Sequence, residues 1–115
     1  MIDYRTADPA KLMEAIPYCR HLGIVAAVEG GSLLLTMPFA QHLIGNPVLP
    51  ALHGGVIGSL LETAAIAQVI FETRGARLPK PVDITVDYLR SGRAVDSYAR
   101  ARIARQGKRV VNVHA

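Results

Sequence analysis

The segment from His53 to Thr73 constrains the fold more than any other part of this 115-residue sequence. Its residues are apolar nearly all the way round a helical wheel, which predicts a helix buried on most of its faces. Four polar residues interrupt the apolar run between residues 54 and 71, which favours a core helix over a membrane span. The dipeptide Arg74-Gly75 is typical of a helix end.

The segments around this helix predict an antiparallel sheet. A short helix over Ala10–Ile16, begun by Asp8 and Pro9, precedes a hairpin of two apolar runs. After the long helix, apolar and polar residues alternate with period two, as in half-buried strands. The hairpin runs are 24–28 and 32–37, and the later strands are 82–88, 99–103 and 111–115. The order predicts an α+β fold in which a curved sheet wraps around one long helix.

Length and composition predict one soluble domain spanning residues 1–115. No signal peptide is visible at the N-terminus, which predicts a cytoplasmic protein without membrane attachment. The single cysteine, Cys19, excludes an intrachain disulfide, and no metal-ligand spacing surrounds it. The chain stops at Ala115 within an apparent strand, which predicts a truncated form or a covering partner.

The net charge of +4 would suit a ligand that carries phosphate groups. Most of the positive charge lies in the last third of the chain, although a solvated surface explains it equally well. The arginines alternate along predicted strands without aromatic neighbours, so nucleic-acid binding is not expected.

Glu62 is the only acidic or basic residue between His53 and Glu72. A carboxylate in an apolar helix costs several kcal/mol unless it is paired, hydrogen-bonded or protonated. One explanation is a structural hydrogen bond to the backbone or to Thr63. The other is a catalytic role.

His53, Gly54 and Gly55 stand where the long helix begins. The first N–H groups of a helix have no partner within it and carry the positive end of the helix dipole. Glycine leaves them open to a ligand, so they could stabilise the negative charge that develops on a thioester oxygen. A tight glycine turn without function is the alternative.

Helix geometry separates these two candidates. Glu62 lies nine residues after His53 along the helix, which corresponds to about 13 Å at 1.5 Å per residue. Within one chain, His53 and Glu62 cannot both contact the same reacting carbon atom. If both act, two chains must meet with antiparallel helices, so that Gly54 of one faces Glu62 of the other. The geometry then predicts a symmetric homodimer with two shared sites.

The combined motifs resemble the hotdog thioesterases of the PaaI type and the related 4-hydroxybenzoyl-CoA thioesterases. The likeness covers roughly residues 15 to 115. It is carried by Asn46-Pro47, by Leu-His-Gly-Gly at 52–55, by the acid at 62 and by the strand-like run 82–90. It implies a hotdog fold, homodimers that often pair into homotetramers, and hydrolysis of acyl-CoA without a metal or another cofactor.

The resemblance also implies roles for individual residues. Gly54 would supply the main oxyanion N–H, His53 would shape that site, and Glu62 would act as nucleophile or general base. Asn46 would orient the water or the thioester. Further substrate contacts would come from Gly55, Val82, Asp83, Arg90 and Arg93, with the two arginines as candidates for the phosphates of the coenzyme.

The sequence departs from the family pattern at several positions. Asn46 lies seven residues before the histidine, where six is common in the family. Glu62 stands where the PaaI group commonly has aspartate, and Pro81 stands where some relatives have a hydroxyl side chain. Relatives also usually have one more strand at the end of the sheet.

Two other functions fit the same fold. A non-catalytic acyl-CoA-binding module would keep the pocket without hydrolysing its ligand. A hydratase or dehydratase that acts on acyl thioesters usually needs a different pairing of histidine and acid, which is not visible here.

Overall fold

The computed structural model describes residues 8–75 and 78–115. The elements of these residues are α1 (Pro9–Ala15), α2 (Pro17–Leu22), β1 (Val25–Glu29), β2 (Ser32–Met37), a 3₁₀-helix (Gln41–Leu43), β3 (Ile44–Asn46), β4 (Ala51–Leu52), α3 (Gly54–Thr73), β5 (Ser97–Ala99), β6 (Arg102–Gln106) and β7 (Val111–His114). The predicted first helix, hairpin and long helix are confirmed to within one residue. Helix α2 and the short strands β3 and β4 were not predicted.

The ends of the helices follow the expected chemistry. The Asp8 carboxylate accepts a hydrogen bond from the Ala10 N–H at 3.0 Å, and Pro9 is the first residue of α1. Helix α3 ends where Arg74 and Gly75 both adopt left-handed backbone conformations, with φ values of 53° and 64°. The predicted stop of the long helix is therefore confirmed.

The strands form an antiparallel arrangement on one side of α3. Strand β1 pairs with β2, and β2 pairs with β5. Strand β6 follows β5 after two residues and pairs with β7. Helix α3 contacts β2, β5 and β6, so the central helix lies against the sheet as the sequence predicts.

The core lies between α3 and the inner face of β2. Leu33, Leu35 and Met37 alternate along β2 and are 1–2% exposed, which is the period expected of a half-buried strand. Among the described residues, Gln68 of α3 is the buried polar exception, and its side-chain oxygen accepts a hydrogen bond from the Leu33 N–H at 2.9 Å. This bond satisfies both polar groups away from water.

Cys19 on α2 is buried within the same core. Burial raises the pKa of its thiol, and a hydrogen bond with Thr63 of α3 opposes that shift. A buried thiol with a raised pKa is a poor nucleophile, which agrees with a structural role.

The strand predicted over residues 82–88 is wrong for this chain. No ladder forms between residues 78 and 92 and any described strand, and Val82 is 88% exposed. Alternation of apolar and polar residues shows that a segment has an apolar face, but a strand also needs a neighbour with which to pair. The strand predicted over 99–103 exists but is interrupted between β5 and β6.

By length and composition alone, α3 could cross a membrane, a property it shares with core helices of soluble domains. Only 33% of its most apolar 18-residue window is buried. The helix therefore keeps an apolar side that the described chain leaves partly uncovered.

Candidate active site

A pocket of about 380 Å³ opens at the first turn of α3. One wall comes from β4 and α3, and the other comes from the segment between residues 88 and 92. The lining residues are Ala51, Leu52, Gly54, Ile57, Tyr88, Arg90, Ser91 and Gly92. The sequence prediction named Gly54 and Arg90 from this set.

Backbone hydrogen bonds hold the start of α3 in place. The His53 N–H donates to the Leu43 carbonyl at 2.9 Å, and the Leu52 N–H donates to the Gly92 carbonyl at 2.9 Å. Strand β3 approaches so closely that a Cβ atom on Gly45 would lie 2.6 Å from the His53 Cα. Glycine at position 45 is therefore part of what fixes the histidine at the helix entrance.

The first turn of α3 leaves one backbone donor open. His53 caps the helix, because its Nδ1 accepts from the Gly55 N–H at 2.9 Å. The Val56 and Ile57 N–H groups donate to the His53 carbonyl at 3.0 and 3.2 Å. Within the described chain, the Gly54 N–H alone among these four groups has no acceptor. It stands at the positive end of the helix dipole and in the wall of the pocket.

Tyr88 covers this turn from the opposite wall. Its hydroxyl donates to the Gly54 carbonyl at 2.8 Å. A Cβ atom on Gly54 would lie 3.5 Å from the tyrosine ring, and one on Gly58 would lie 3.4 Å from its hydroxyl oxygen. The two glycines thus give the helix a slim face against which the aromatic ring packs.

Glu62 is half-buried in the middle of α3. The structure gives its carboxylate no hydrogen bond or ion pair with any other described residue. Its neighbour Thr63 instead interacts with Cys19. The structural hydrogen bond considered as the alternative explanation for Glu62 is therefore not observed in this part of the chain.

Asn46 lies at the end of β3, where β3 pairs with β4. Its side-chain oxygen accepts from the N–H groups of Val48 and Leu49, at 2.9 and 3.3 Å. The oxygen is occupied by this turn, so the Asn46 amide nitrogen is the group left to contact a ligand.

The remaining predicted contact residues are dispersed. Arg90 is exposed and lines the pocket, whereas Arg93 lies just beyond it and pairs with Ala51 of β4. Val82 and Asp83 are exposed and do not line the pocket of this chain. Their predicted contacts with substrate stay predictions.

Within residues 8–75 and 78–115, no group of three or more His, Cys, Asp or Glu side chains could hold a metal ion. The described pocket offers an open N–H donor and largely apolar walls, and the Glu62 carboxylate does not line it. A donor of this kind can stabilise negative charge on a carbonyl oxygen.

The sequence profile of the thioesterase superfamily matches residues 49–115, which include the pocket and all of α3. The chain belongs to the thioesterase superfamily. No protein of curated function matches it at a significant level. Its membership supports hydrolysis of a thioester as the general chemistry of this family member.

Solved structures similar to this chain share its hotdog fold. A protein from Chromobacterium violaceum is 38% identical, with a TM-score of 0.71 over 91% of this chain and 72% of that chain. A thioesterase-superfamily protein is 24% identical, with a TM-score of 0.82 over 91% and 79%. A phenylacetic acid degradation-related protein from Ralstonia eutropha JMP134, assigned as a candidate thioesterase, is 24% identical, with a TM-score of 0.69 over 96% and 85%. The predicted hotdog fold is therefore confirmed.

Sequence reasoning missed two contributors to the site. Tyr88 was interpreted only as one member of an alternating strand, and Gly92 received no role. A Cβ on Gly92 would lie 2.6 Å from the Ile57 Cδ1, so this glycine allows the second wall to approach α3. The sequence did carry one signal for a residue such as Tyr88. Small residues recur at 54, 55 and 58, and a bulky side chain must fill the space beside them.

Proposed function

We propose that this protein hydrolyses acyl-CoA thioesters at a site shared between two copies of the chain. The observation that carries the proposal is the open Gly54 N–H in the wall of an apolar pocket. It is supported by the superfamily membership, which gives the general chemistry. The thioester carbonyl would enter the pocket with its oxygen toward this N–H.

The carboxylate partner must come from a second chain. Gly54 and Glu62 are eight residues apart on one helix, or about 12 Å along its axis. A single copy cannot place both beside one carbonyl carbon. In an antiparallel pair of α3 helices, Gly54 of each chain would face Glu62 of the other, which gives two equivalent sites.

Exposed apolar surface on this chain supports a second copy as the partner. Val48, Val82 and Leu89 are 88%, 88% and 91% exposed, and α3 itself is apolar but only partly covered. An apolar helix face that its own chain leaves partly uncovered is typical of an interface. Burial by a symmetric copy would also remove water from Glu62.

The reaction would break the C–S bond of the thioester. Either Glu62 removes a proton from a water molecule, whose oxygen attacks the carbonyl carbon, or the carboxylate itself attacks and water then releases the acid. In both routes the Gly54 N–H donates to the oxyanion of the tetrahedral intermediate. The electron pair of the C–S bond leaves with the CoA thiolate.

Two further side chains have proposed roles in binding. The amide nitrogen of Asn46 is available to orient the water or the thioester, because its oxygen is held in the turn. Arg90, exposed at the pocket, is placed to contact a phosphate of the coenzyme.

Thiol release from a panel of short, medium, long and aromatic acyl-CoAs tests the proposal. Wild type should release CoA from at least one of them, and Glu62→Gln should reduce kcat about 10²- to 10⁴-fold by removing the base or nucleophile. Glu72→Gln is the matched control, because Glu72 is an exposed carboxylate on the same helix. The control should retain wild-type kcat.

Equal turnover by wild type and a folded Glu62→Gln protein would contradict the proposed mechanism. Tight acyl-CoA binding by wild type without any thiol release would instead identify a non-catalytic acyl-CoA-binding module.

A further inference from the structure

The peptide between Gly54 and Gly55 is held at both of its polar ends. Its carbonyl accepts from the Tyr88 hydroxyl at 2.8 Å, and its N–H donates to His53 Nδ1 at 2.9 Å. These contacts come from two different elements, since Tyr88 lies beyond the C-terminal end of α3 in sequence and His53 precedes its first residue.

Two consecutive glycines are the least restrained dipeptide that a helix start can have. The open Gly54 N–H belongs to the peptide immediately before the clamped one. The carbonyl of that preceding peptide is itself fixed, because it accepts from Val56 and Ile57. The Gly54 α-carbon joins the two peptides, so the direction of the open N–H is set both by the bonds to the His53 carbonyl and by the hold on the Gly54–Gly55 peptide.

We propose that Tyr88 is a positioning residue, which acts through the Gly54–Gly55 peptide to aim the Gly54 N–H into the pocket. The inference rests on the proposed thioester hydrolysis. A donor that is already aimed needs no reorganisation when negative charge develops on the substrate oxygen. The hydroxyl supplies this restraint, while the ring forms part of the pocket wall.

Tyr88→Phe separates these two contributions, because it removes the hydroxyl and keeps the ring beside Gly54 and Gly58. Loss of one hydrogen bond should lower kcat roughly 3- to 10-fold, with KM changed less than about twofold. If the tyrosine served only as packing, the phenylalanine ring would preserve both constants. Tyr98→Phe is the matched control, because Tyr98 is 63% exposed on β5 and lies outside the pocket.

Amide hydrogen exchange at Gly55 gives a second readout that does not depend on turnover. In Tyr88→Phe the Gly55 N–H should exchange about 3- to 10-fold faster, since the restraint from the Tyr88 hydroxyl on its peptide is gone. The Tyr98→Phe protein should match wild type in exchange and in kcat.

The outcomes are distinguishable. Lower kcat and faster Gly55 exchange in Tyr88→Phe alone would support the inference. Thiol release by wild type with unchanged kcat in Tyr88→Phe would overturn it and leave the proposed function intact. Absence of thiol release from wild type with every acyl-CoA would remove the proposed function and this inference together.

Discussion

The hairpin β1–β2 and the segment from residue 78 to residue 92 both carry apolar side chains, but they differ in how far these side chains are buried. The hairpin consists of two apolar runs, and the second segment alternates apolar and polar side chains from Val82 to Tyr88. Along β2 the apolar side chains Leu33 and Leu35 are buried against α3, whereas Val82 and Leu89 of the second segment are almost fully exposed. The chain covers the inner face of β2 with α3 and leaves the apolar side chains of the second segment open.

The backbones differ in the same way. Strand β2 has a ladder on each side, and Gln68 supplies a further acceptor to its first inner residue. The open segment is anchored by the Tyr88 hydroxyl and by the Gly92 carbonyl. A region held by few contacts has low local stability, and such regions commonly carry binding sites. We propose that a second copy completes the open side.

The largest effect is expected in the closed region, which is the inner face of β2 that packs against α3. Leu35→Ala should lower the free energy of unfolding by about 2–5 kcal/mol, because Leu35 is 1% exposed and its loss leaves a cavity. Urea denaturation at several protein concentrations measures this effect. Leu89→Ala is the matched variant in the open segment, and for the monomer it should change stability by less than about 0.5 kcal/mol. Equal losses in both variants would abolish the distinction between the regions.

A charge in the open region should act on assembly instead. Leu89→Asp should weaken the proposed dimer about 10- to 100-fold by placing a carboxylate in an apolar interface. Sedimentation equilibrium gives the dissociation constant. Val25→Asp on the edge strand β1 is the control, since Val25 is 55% exposed and lies away from the pocket. A dimer weakened by Val25→Asp and not by Leu89→Asp would place the interface at β1 and contradict the proposed interface.

The smallest effect is expected from the ion pair at the hairpin. Arg100 Nη2 lies 2.6 Å from Glu29 Oε1, but the two side chains are 44% and 63% exposed. Exposed pairs contribute little, so Arg100→Ala should cost less than about 1 kcal/mol in urea denaturation. A loss of more than about 2 kcal/mol in the free energy of unfolding would mean that exposed contacts at the hairpin stabilise the closed region as well as its core.

Much of the fold could be predicted because the signals are local. The helix α3, its end at Arg74, and the hairpin follow from periodicity, capping and glycine positions. The failure at residues 82–88 has a physical cause, because pairing depends on a neighbouring strand that periodicity does not reveal.

The site was predictable only in part. The open donor at Gly54 follows from the chemistry of helix starts, and the lone carboxylate of Glu62 stands out in an apolar helix. Tyr88 lies 34 residues from Gly54, so its hydrogen bond depends on tertiary packing that no local pattern encodes. The approach of Gly92 to Ile57 also depends on tertiary packing, so no local pattern predicted it.

The central claim is that each site takes Gly54 from one chain and Glu62 from the other. Gly54→Pro removes the N–H, and it suits the structure because His53 has φ −62° and ψ 131° and proline is favoured at the first helical position. Gly54→Pro and Glu62→Gln should each be nearly inactive alone, while Gly54→Ala, which keeps the N–H, should retain more activity than Gly54→Pro.

Mixing the two inactive chains and measuring thiol release is therefore the most direct test. A heterodimer of Gly54→Pro and Glu62→Gln chains has one site with both groups intact and one with neither. Random assortment of equal amounts should restore about a quarter of wild-type activity. Absence of any rescue, with heterodimers demonstrated in the mixture, would contradict the shared site.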